Sequence, residues 1–212
     1  MYYSTRAIIL SSVPQGERGN LFILLTEERG LVHAQGQGVR SPRSKLGCKL
    51  TPYRLLSLNL THRTIDRIIG VEVMEAYETI WRDARRQGYA AWAAAFLQQA
   101  LKPGVRDEKI FALFHEYLQS VNDAAMPETD LPSYRLAFAV RNIECLGHSL
   151  VEGKGHEREA AVLKNASAAE TLKKTSIILA PIKQFLFQAS EAWVAEMSGK
   201  RELHPSHFLQ NI

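Results

Sequence analysis

The hydrophobic positions change their spacing partway along the chain. Over about the first 78 residues, short apolar runs are separated by turns that contain glycine or proline, and the run at 55–60 passes into strict apolar–polar alternation. Alternation is typical of a half-buried β-strand, because successive side chains of a strand point to opposite faces. The pattern predicts five strands, at 6–13, 21–25, 31–38, 55–60 and 65–73. Five short strands favour a small barrel or sandwich.

From about residue 79 the apolar positions recur every three or four residues, the spacing of a helix. The three stripes are Tyr89, Trp92, Phe96 and Ala100; Ile110, Phe114, Tyr117 and Val121; and Leu136, Val140 and Ile143. The first helix is expected to end before Pro103, the second to have Asp107 as its N-cap, and the third to open near Asp130 and Pro132 and end at Gly147. We interpret each stripe as core packing.

The C-terminal part of the chain also has a helical pattern. The polar, glycine-containing stretch 152–160 predicts a loop, and the capping-box pattern Ser167–Glu170 predicts the start of a further helical segment. Pro181 is expected to kink that segment and Gly199 to end it. The sequence therefore predicts an α+β protein, with a β-domain at 1–78 and an all-helical domain at 79–212.

Composition narrows the class of protein. The chain has 212 residues, of which 46% are hydrophobic and 23% charged, a balance that excludes disordered and fibrous classes. Its two cysteines, Cys48 and Cys145, are too few for a disulfide framework or a four-cysteine zinc site. The N-terminus lacks the features of a signal peptide, and the longest apolar run, at 89–96, is too short to span a bilayer. We expect a cytoplasmic protein with no membrane contact.

Charge is distributed unevenly along the chain, whose net charge is +4. Residues 1–70 hold ten Lys and Arg against four Asp and Glu, and seven of the ten lie between Arg40 and Arg67, where Asp66 is the one acid. Such asymmetry indicates a nucleic-acid or membrane contact in the basic half. The alternative is a solvated basic face that has no partner.

The segment Gly36–Arg54, called here the basic loop, suits a phosphate backbone. It interleaves basic residues with Gly, Ser and Pro and contains no acid, and cations that neutralise phosphates release condensed counterions. The hydroxyls of Ser41 and Ser44 could add phosphate hydrogen bonds, and Tyr53 suits either base stacking or the core. The candidate nucleic-acid-binding residues are Arg18, in the turn after the first strand, and Arg40, Arg43, Lys45, Lys49 and Arg54.

Other chemistry is weakly supported. The glycines of Gln35–Gly38 lack the third glycine and the βαβ setting of a dinucleotide loop, and the sequence contains no P-loop, HExxH or GxSxG motif. Cys145 and His148 have zinc-ligand spacing with His156 nearby, but a structural site needs four good ligands. His204 and His207 are interpreted as a solvated tail. We expect no enzyme activity, no metal and no cofactor.

Several motifs, taken together, resemble the RecO family of bacterial DNA repair and recombination mediators. They are Ala7–Leu10, Pro14–Glu17, Leu24–Gly30, Ala34–Arg40, Pro42–Gly47, Leu50–Pro52 and, further along, Arg141–Gly147. The resemblance implies an N-terminal five-stranded OB-type barrel followed by a helical domain. It also implies a protein that binds single- and double-stranded DNA and anneals complementary strands.

The resemblance implies protein partners as well. Family members work with RecR and with single-stranded-DNA-binding protein (SSB) to help load RecA onto coated DNA, and the acidic C-terminal tail of SSB contacts the helical region. Many relatives carry a cysteine zinc module after the Leu-Gly step, where this chain has the cysteine-free stretch 152–160. This protein is therefore expected to lack zinc. If the zinc module supports partner docking in relatives, that docking stays open for this chain.

The sequence thus favours a recombination mediator that acts by binding and is associated with the bacterial nucleoid. Two alternatives stay open. In the first, a helical adaptor binds proteins and the basic loop is incidental. In the second, the protein is a nuclease, which would need clustered carboxylates to hold metal ions, and the basic loop contains none.

Overall fold

The computed structural model of the protein describes residues 1–146, and these residues confirm the predicted change from strands to helices. The strands are β1 (Tyr2–Gln15), β2 (Gly19–Thr26), β3 (Gly30–Gly36), β4 (Leu55–Thr61) and β5 (Asp66–Glu75). The helices are α1 (Glu78–Arg82), α2 (Ala84–Ala100), α3 (Glu108–Asn122) and α4 (Leu131–Cys145), with a short 3₁₀ helix (Glu128–Asp130) before α4. The arrangement is α+β. The helical segment expected after Gly147 lies outside the described residues.

The five strands close into a barrel in the order β1-β2-β3-β5-β4. Closure depends on β1, whose first half pairs with β4 (Tyr2 to Ile8) and whose second half pairs with β2 (Ala7 to Gln15). A register shift between Ile9 and Ser11 bends β1 between these partners. β3 and β5 are parallel and share only two paired positions, Ala34 with Asp66 and Gln35 with Arg67. This short contact is the seam of the barrel.

Apolar side chains from all five strands fill the barrel interior. They are Ala7, Ile9, Phe22, Leu24, Ala34, Leu56, Leu58, Leu60 and Ile68, together with Val39 and Leu50 from the basic loop. The β4 residues in this group are every second residue of the alternating run, so the period-2 pattern correctly predicted which side chains point inward.

A second core joins the barrel to the helices. Ile8 and Leu10 lie on the outer face of β1, where they pack with residues of α2, α3 and α4. Because Ala7 and Ile9 point into the barrel, β1 is buried on both faces, and this explains its continuous apolar run. Phe138 of α4 packs against Tyr117 of α3, with ring centroids 4.6 Å apart. The barrel and the described helices therefore form one packed body.

Capping residues define the helix boundaries. The predicted N-cap of α3 is confirmed, because the Asp107 side chain accepts hydrogen bonds from the backbone N–H groups of Lys109 and Ile110. Asp83 caps α2 in the same way. The helix α1, which the sequence analysis did not predict, has five residues and follows Tyr77 in the left-handed conformation (φ 49°). Within residues 1–146, every helix is too short or too polar to cross a bilayer.

Candidate nucleic-acid interface

The basic loop connects β3 to β4 as a series of hydrogen-bonded turns. Backbone N–H groups of Ser41 and Ser44 donate to the carbonyl oxygens of Gly38 (3.2 Å) and Ser41 (2.9 Å). The N–H of Gly47 donates to Oγ of Ser44 at 3.1 Å, so this hydroxyl already serves the loop itself. At the far end, the N–H of Tyr53 donates to the carbonyl of Ile9 at 2.9 Å. The loop is therefore built against the barrel before any ligand is bound.

Three apolar side chains attach the basic loop to the barrel core. Val39 and Leu50 are 8% and 7% exposed, and Leu46 is partly buried against the same cluster. Gly47 lies against Val39 so closely that a Cβ atom on it would be 2.0 Å from the Val39 carbonyl oxygen. Because the apolar residues point inward, the charged residues between them point outward.

Four of the predicted cations, Arg40, Arg43, Lys45 and Lys49, are exposed on the basic loop, and Arg18 is exposed in the β1–β2 turn. The backbone N–H of Arg40 donates to the carbonyl of Arg18 (3.2 Å), which brings the loop and the turn together. Lys49 lies beside β5, where its Nζ donates to the carbonyl of Val71 (3.4 Å). Within residues 1–146, none of these five cations forms a salt bridge with a carboxylate. Their charge is therefore available to an anionic ligand.

Arg54, the sixth predicted residue, has a different environment. It is half-buried, its Nη1 donates to the carbonyl of Cys48 at 3.3 Å, and its Nε is buried without a hydrogen-bond partner. These contacts brace the end of the basic loop. Tyr53 is also half-buried and stacks on Trp81 with ring centroids 6.1 Å apart, and burial raises the pKa of its hydroxyl. Of the two roles considered for Tyr53, these contacts favour packing against the core.

Sequence reasoning did not single out two further cations, Arg63 in the β4–β5 turn and the half-buried Arg67 at the start of β5. Asp66, the one acid of the basic stretch, is 7% exposed and accepts hydrogen bonds from the Tyr3 hydroxyl, from the His62 ring (2.9 Å) and from the Arg63 N–H (3.3 Å). Burial raises the pKa of the Tyr3 hydroxyl, and the hydrogen bond to Asp66 raises it further. The acid thus points inward while Arg63 stays exposed. The sequence did contain a signal for this arrangement, because Asp66 directly follows the polar turn.

The described residues offer no arrangement for a metal ion. In residues 1–146, no group of three or more His, Cys, Asp or Glu side chains converges on one point. Cys48 is exposed and Cys145 is half-buried. His148, His156, His204 and His207, which the sequence analysis considered, lie outside the described residues.

An open cavity of about 880 Å³ lies on the helical side of the molecule, between α3 and α4. Its lining mixes cations and anions, including Lys109, Glu116 and Arg141. It therefore differs from the basic loop, whose exposed charges are all positive.

The structure defines a class of protein: a small closed β-barrel with a cationic loop, joined to helices through a shared core. Comparison with known proteins shows which family the N-terminal part is similar to. Residues 1–77 match the family model "Recombination protein O N terminal". The resemblance to the RecO family is thus confirmed for the N-terminal part of the chain.

Curated relatives agree with this assignment. DNA repair protein RecO of Thermodesulfovibrio yellowstonii is 29% identical over 150 residues, which cover 70% of this chain and 58% of that protein. DNA repair protein RecO of Anaeromyxobacter dehalogenans is 29% identical over a region that covers 66% of this chain and 55% of that protein. DNA repair protein RecO of Acaryochloris marina is 31% identical over a region that covers 59% of this chain and 43% of that protein. The matched region thus amounts to roughly half the length of these relatives.

Proposed function

We propose that this protein is a DNA repair and recombination mediator that holds single- and double-stranded DNA on its barrel and acts without a covalent step. The observation that carries the proposal is the surface formed by Arg18, Arg40, Arg43, Lys45 and Lys49, which are exposed and belong to no salt bridge within residues 1–146. The strand order β1-β2-β3-β5-β4 supports assigning the barrel to the OB type, a fold that binds oligonucleotides on strands 2 and 3 and on adjoining loops.

The proposed mechanism is electrostatic. Each phosphate that a Lys or Arg neutralises releases condensed counterions, so binding is driven by entropy and has little sequence preference. Neutralising the phosphates of two strands removes their mutual repulsion and speeds annealing. The preformed turns of the basic loop hold the cations in place, so little ordering entropy is lost when DNA binds.

Protein partners complete the proposal. We propose that the helical part binds RecR and the acidic C-terminal tail of SSB, and that with RecR the protein helps to load RecA onto SSB-coated DNA in the cytoplasm, at the nucleoid. Support comes from the match of residues 1–77 to the family model and from the helices, which add a second surface to the barrel. No catalytic step and no cofactor is required of this protein.

Strand annealing tests the proposal directly. Two complementary oligonucleotides, each carrying a fluorophore, are mixed with the purified protein, with and without SSB. We expect faster annealing of both naked and SSB-coated strands. No acceleration by a folded protein would contradict the proposal and favour the adaptor alternative, which predicts a protein complex that survives nuclease treatment in a pull-down.

The salt dependence of binding tests the individual residues. Replacing Arg43 by Ala should lower the slope of log affinity against log salt by about 0.7 to 0.9, with no change in sequence preference, because one phosphate contact is lost. The matched control is Lys102→Ala, which removes an exposed cation between α2 and α3. Equal slopes for the wild type and both variants would show that Arg43 contacts no phosphate.

A further inference from the structure

The outer face of the barrel carries an exposed aromatic ring beside the cations of the β4–β5 turn. Tyr2, at the start of β1, is 75% exposed, whereas the next residue, Tyr3, points inward to Asp66. We call Tyr2, Arg63 and Arg67 the β4–β5 turn patch. None of the three belongs to the basic loop.

The strand register places Tyr2 and Arg67 on the same face. Tyr2 pairs with Thr61 of β4, and Thr61 pairs with Arg67 of β5, so the three residues form one row across the sheet. Side chains directly opposite one another in antiparallel strands share a face. With neighbouring strands about 5 Å apart, the Cα atoms of Tyr2 and Arg67 are roughly 10 Å apart. A ring and a guanidinium at this spacing can reach one base and a neighbouring phosphate.

Hydrogen bonds fix the backbone that carries the patch. The backbone N–H of His62 donates to the carbonyl of Met1 (2.9 Å), which continues the β1–β4 pairing past Tyr2. On the other side of the turn, Asp66 accepts hydrogen bonds from the His62 ring and the Arg63 N–H. These hydrogen bonds fix the backbone next to Tyr2 and at Arg63, from which the two exposed side chains extend.

The charge around the patch suits a polyanion. Asp66 is buried, and exposed residues at nearby positions of these strands and of the turn include the uncharged Ser4, Asn59, Ile65 and Ile69. Ile65 and Ile69 are 39% and 45% exposed and extend the apolar surface beside the ring. An exposed aromatic ring flanked by cations is a typical platform for an unstacked base. A duplex offers no such base, because its bases are stacked on one another.

We propose that the β4–β5 turn patch is a single-strand-specific subsite, in which the Tyr2 ring stacks on an unpaired base while Arg63 and Arg67 hold the phosphates beside it. The inference rests on the proposed function and adds to it a means of telling single strands from duplex. The basic loop binds either form through phosphates, whereas the patch binds only the form whose bases are accessible.

Paired variants and paired ligands test this subsite. Anisotropy of a labelled oligothymidylate and of a labelled duplex of equal length is measured with the wild type, Tyr2→Ala, Tyr2→Phe and the double variant Arg63→Ala/Arg67→Ala. We expect Tyr2→Ala to weaken oligothymidylate binding about tenfold and leave duplex binding unchanged. Tyr2→Phe should bind as the wild type does, because it keeps the ring. The double variant should weaken oligothymidylate binding and reduce its salt slope.

A photo-crosslink gives a second readout that does not depend on affinity. An oligonucleotide that contains 5-iodouridine should crosslink to Tyr2 in the wild type, since a stacked base places its edge against the ring. Crosslinks confined to the basic loop would overturn the inference.

Three outcomes separate this inference from the proposed function. If the wild type binds DNA and neither Tyr2→Ala nor the double variant differs from it, the subsite is wrong while the function of the basic loop stands; the patch then faces a protein or solvent. If Tyr2→Ala weakens oligothymidylate and duplex equally, base stacking is excluded. If the wild type binds neither ligand, both proposals fail.

Discussion

At the scale of single residues, Gly47 determines the shape of the basic loop. A side chain there would meet the Val39 carbonyl oxygen at 2.0 Å, and that oxygen belongs to backbone that cannot move without displacing Val39 from the barrel core. We expect Gly47→Ala to lower the free energy of unfolding by about 1 to 3 kcal/mol, the usual cost of overpacking. Urea denaturation, monitored by tryptophan fluorescence, measures the change.

Gly88 supplies the matched control for Gly47. It lies within α2, and a Cβ atom on it would have no neighbour within 4 Å. Gly88→Ala should therefore stabilise the protein by about 0.5 to 1 kcal/mol, because alanine loses less backbone entropy in a helix. If Gly47→Ala raises the free energy of unfolding as Gly88→Ala does, the close contact between Gly47 and Val39 does not determine the shape of the basic loop.

Among the structural elements, α2 and α3 are joined by a buried arginine that no hydrophobic pattern could predict. Arg86 is 5% exposed and donates to the carbonyls of Val121 (2.6 Å), Asp123 (2.8 Å) and Met126 (2.9 Å), which lie at and beyond the end of α3. Asp83 is its salt-bridge partner at 3.4 Å. Arg86 thus satisfies carbonyl oxygens that a helix end leaves unpaired.

Replacing Arg86 by Lys tests this interpretation, because the charge is kept and the planar fork is lost. An ammonium group cannot satisfy three separated carbonyls from one position, so we expect a loss of about 2 to 4 kcal/mol in the free energy of unfolding. The control is Arg85→Lys, at a neighbouring position whose side chain is 63% exposed. A loss of similar size in the two variants would show that burial of Arg86 has no special role.

The elements themselves were largely predictable from sequence. All five strands and three of the helices in residues 1–146 lie where the patterns placed them, because burial on one face imposes a period of two or about 3.6. The strand β1 begins at Tyr2 and not at Arg6, since its polar start pairs with β4, far away in the sequence. The helix α1 was missed because five residues are too few to establish a period.

For the candidate nucleic-acid interface, the sequence indicated which segment is basic but did not indicate which of its side chains are exposed. The absence of acids in the basic loop identified its exposed cations, but Arg54 has the same sequence character and is half-buried. The significance of Arg63 and Arg67 depends on the fold, because Asp66, the acid between them in sequence, is buried and its carboxylate is held by hydrogen bonds. Sequence does not show which way a side chain points in a turn that a long-range hydrogen bond fixes.

At the scale of the whole molecule, hydrogen bonds to acidic side chains link the barrel to the helices, in addition to the shared core. Glu75 of β5 accepts hydrogen bonds from the His115 ring (2.9 Å) and from Gln119, both on α3. Partial burial acts to raise the pKa of Glu75, but these hydrogen bonds outweigh it and hold that pKa below its ordinary value of 4.5. The hydrogen bond from Arg6 lowers the pKa of Glu27.

These lowered pKa values predict how stability depends on acidity. A carboxylate whose folded pKa is depressed contributes stability above its unfolded pKa and loses it as the pH falls through the folded value. The melting temperature should therefore fall steeply below about pH 4.5. Glu75→Gln should melt at a lower temperature than the wild type at neutral pH and show a shallower decline in acid. Glu72→Gln, at an exposed position on β5, serves as the control.

An unchanged acid decline in Glu75→Gln would contradict a role for this contact in docking the helices. Thermal melting monitored by circular dichroism over about pH 3 to 7 is sufficient to distinguish the curves, because the expected difference lies in slope and not in a single value.

The divided pairing of β1 has a consequence for how the chain acquires its structure during synthesis. The second half of β1 can join a local meander with β2 and β3, but its first half has no neighbour until β4 has been made, about fifty residues later. Until then, the start of β1 is an open edge able to pair with another nascent chain. We therefore expect ring closure to come late in folding, and the like charges of the basic loop, which is made just before β4, to oppose association between partly synthesised copies.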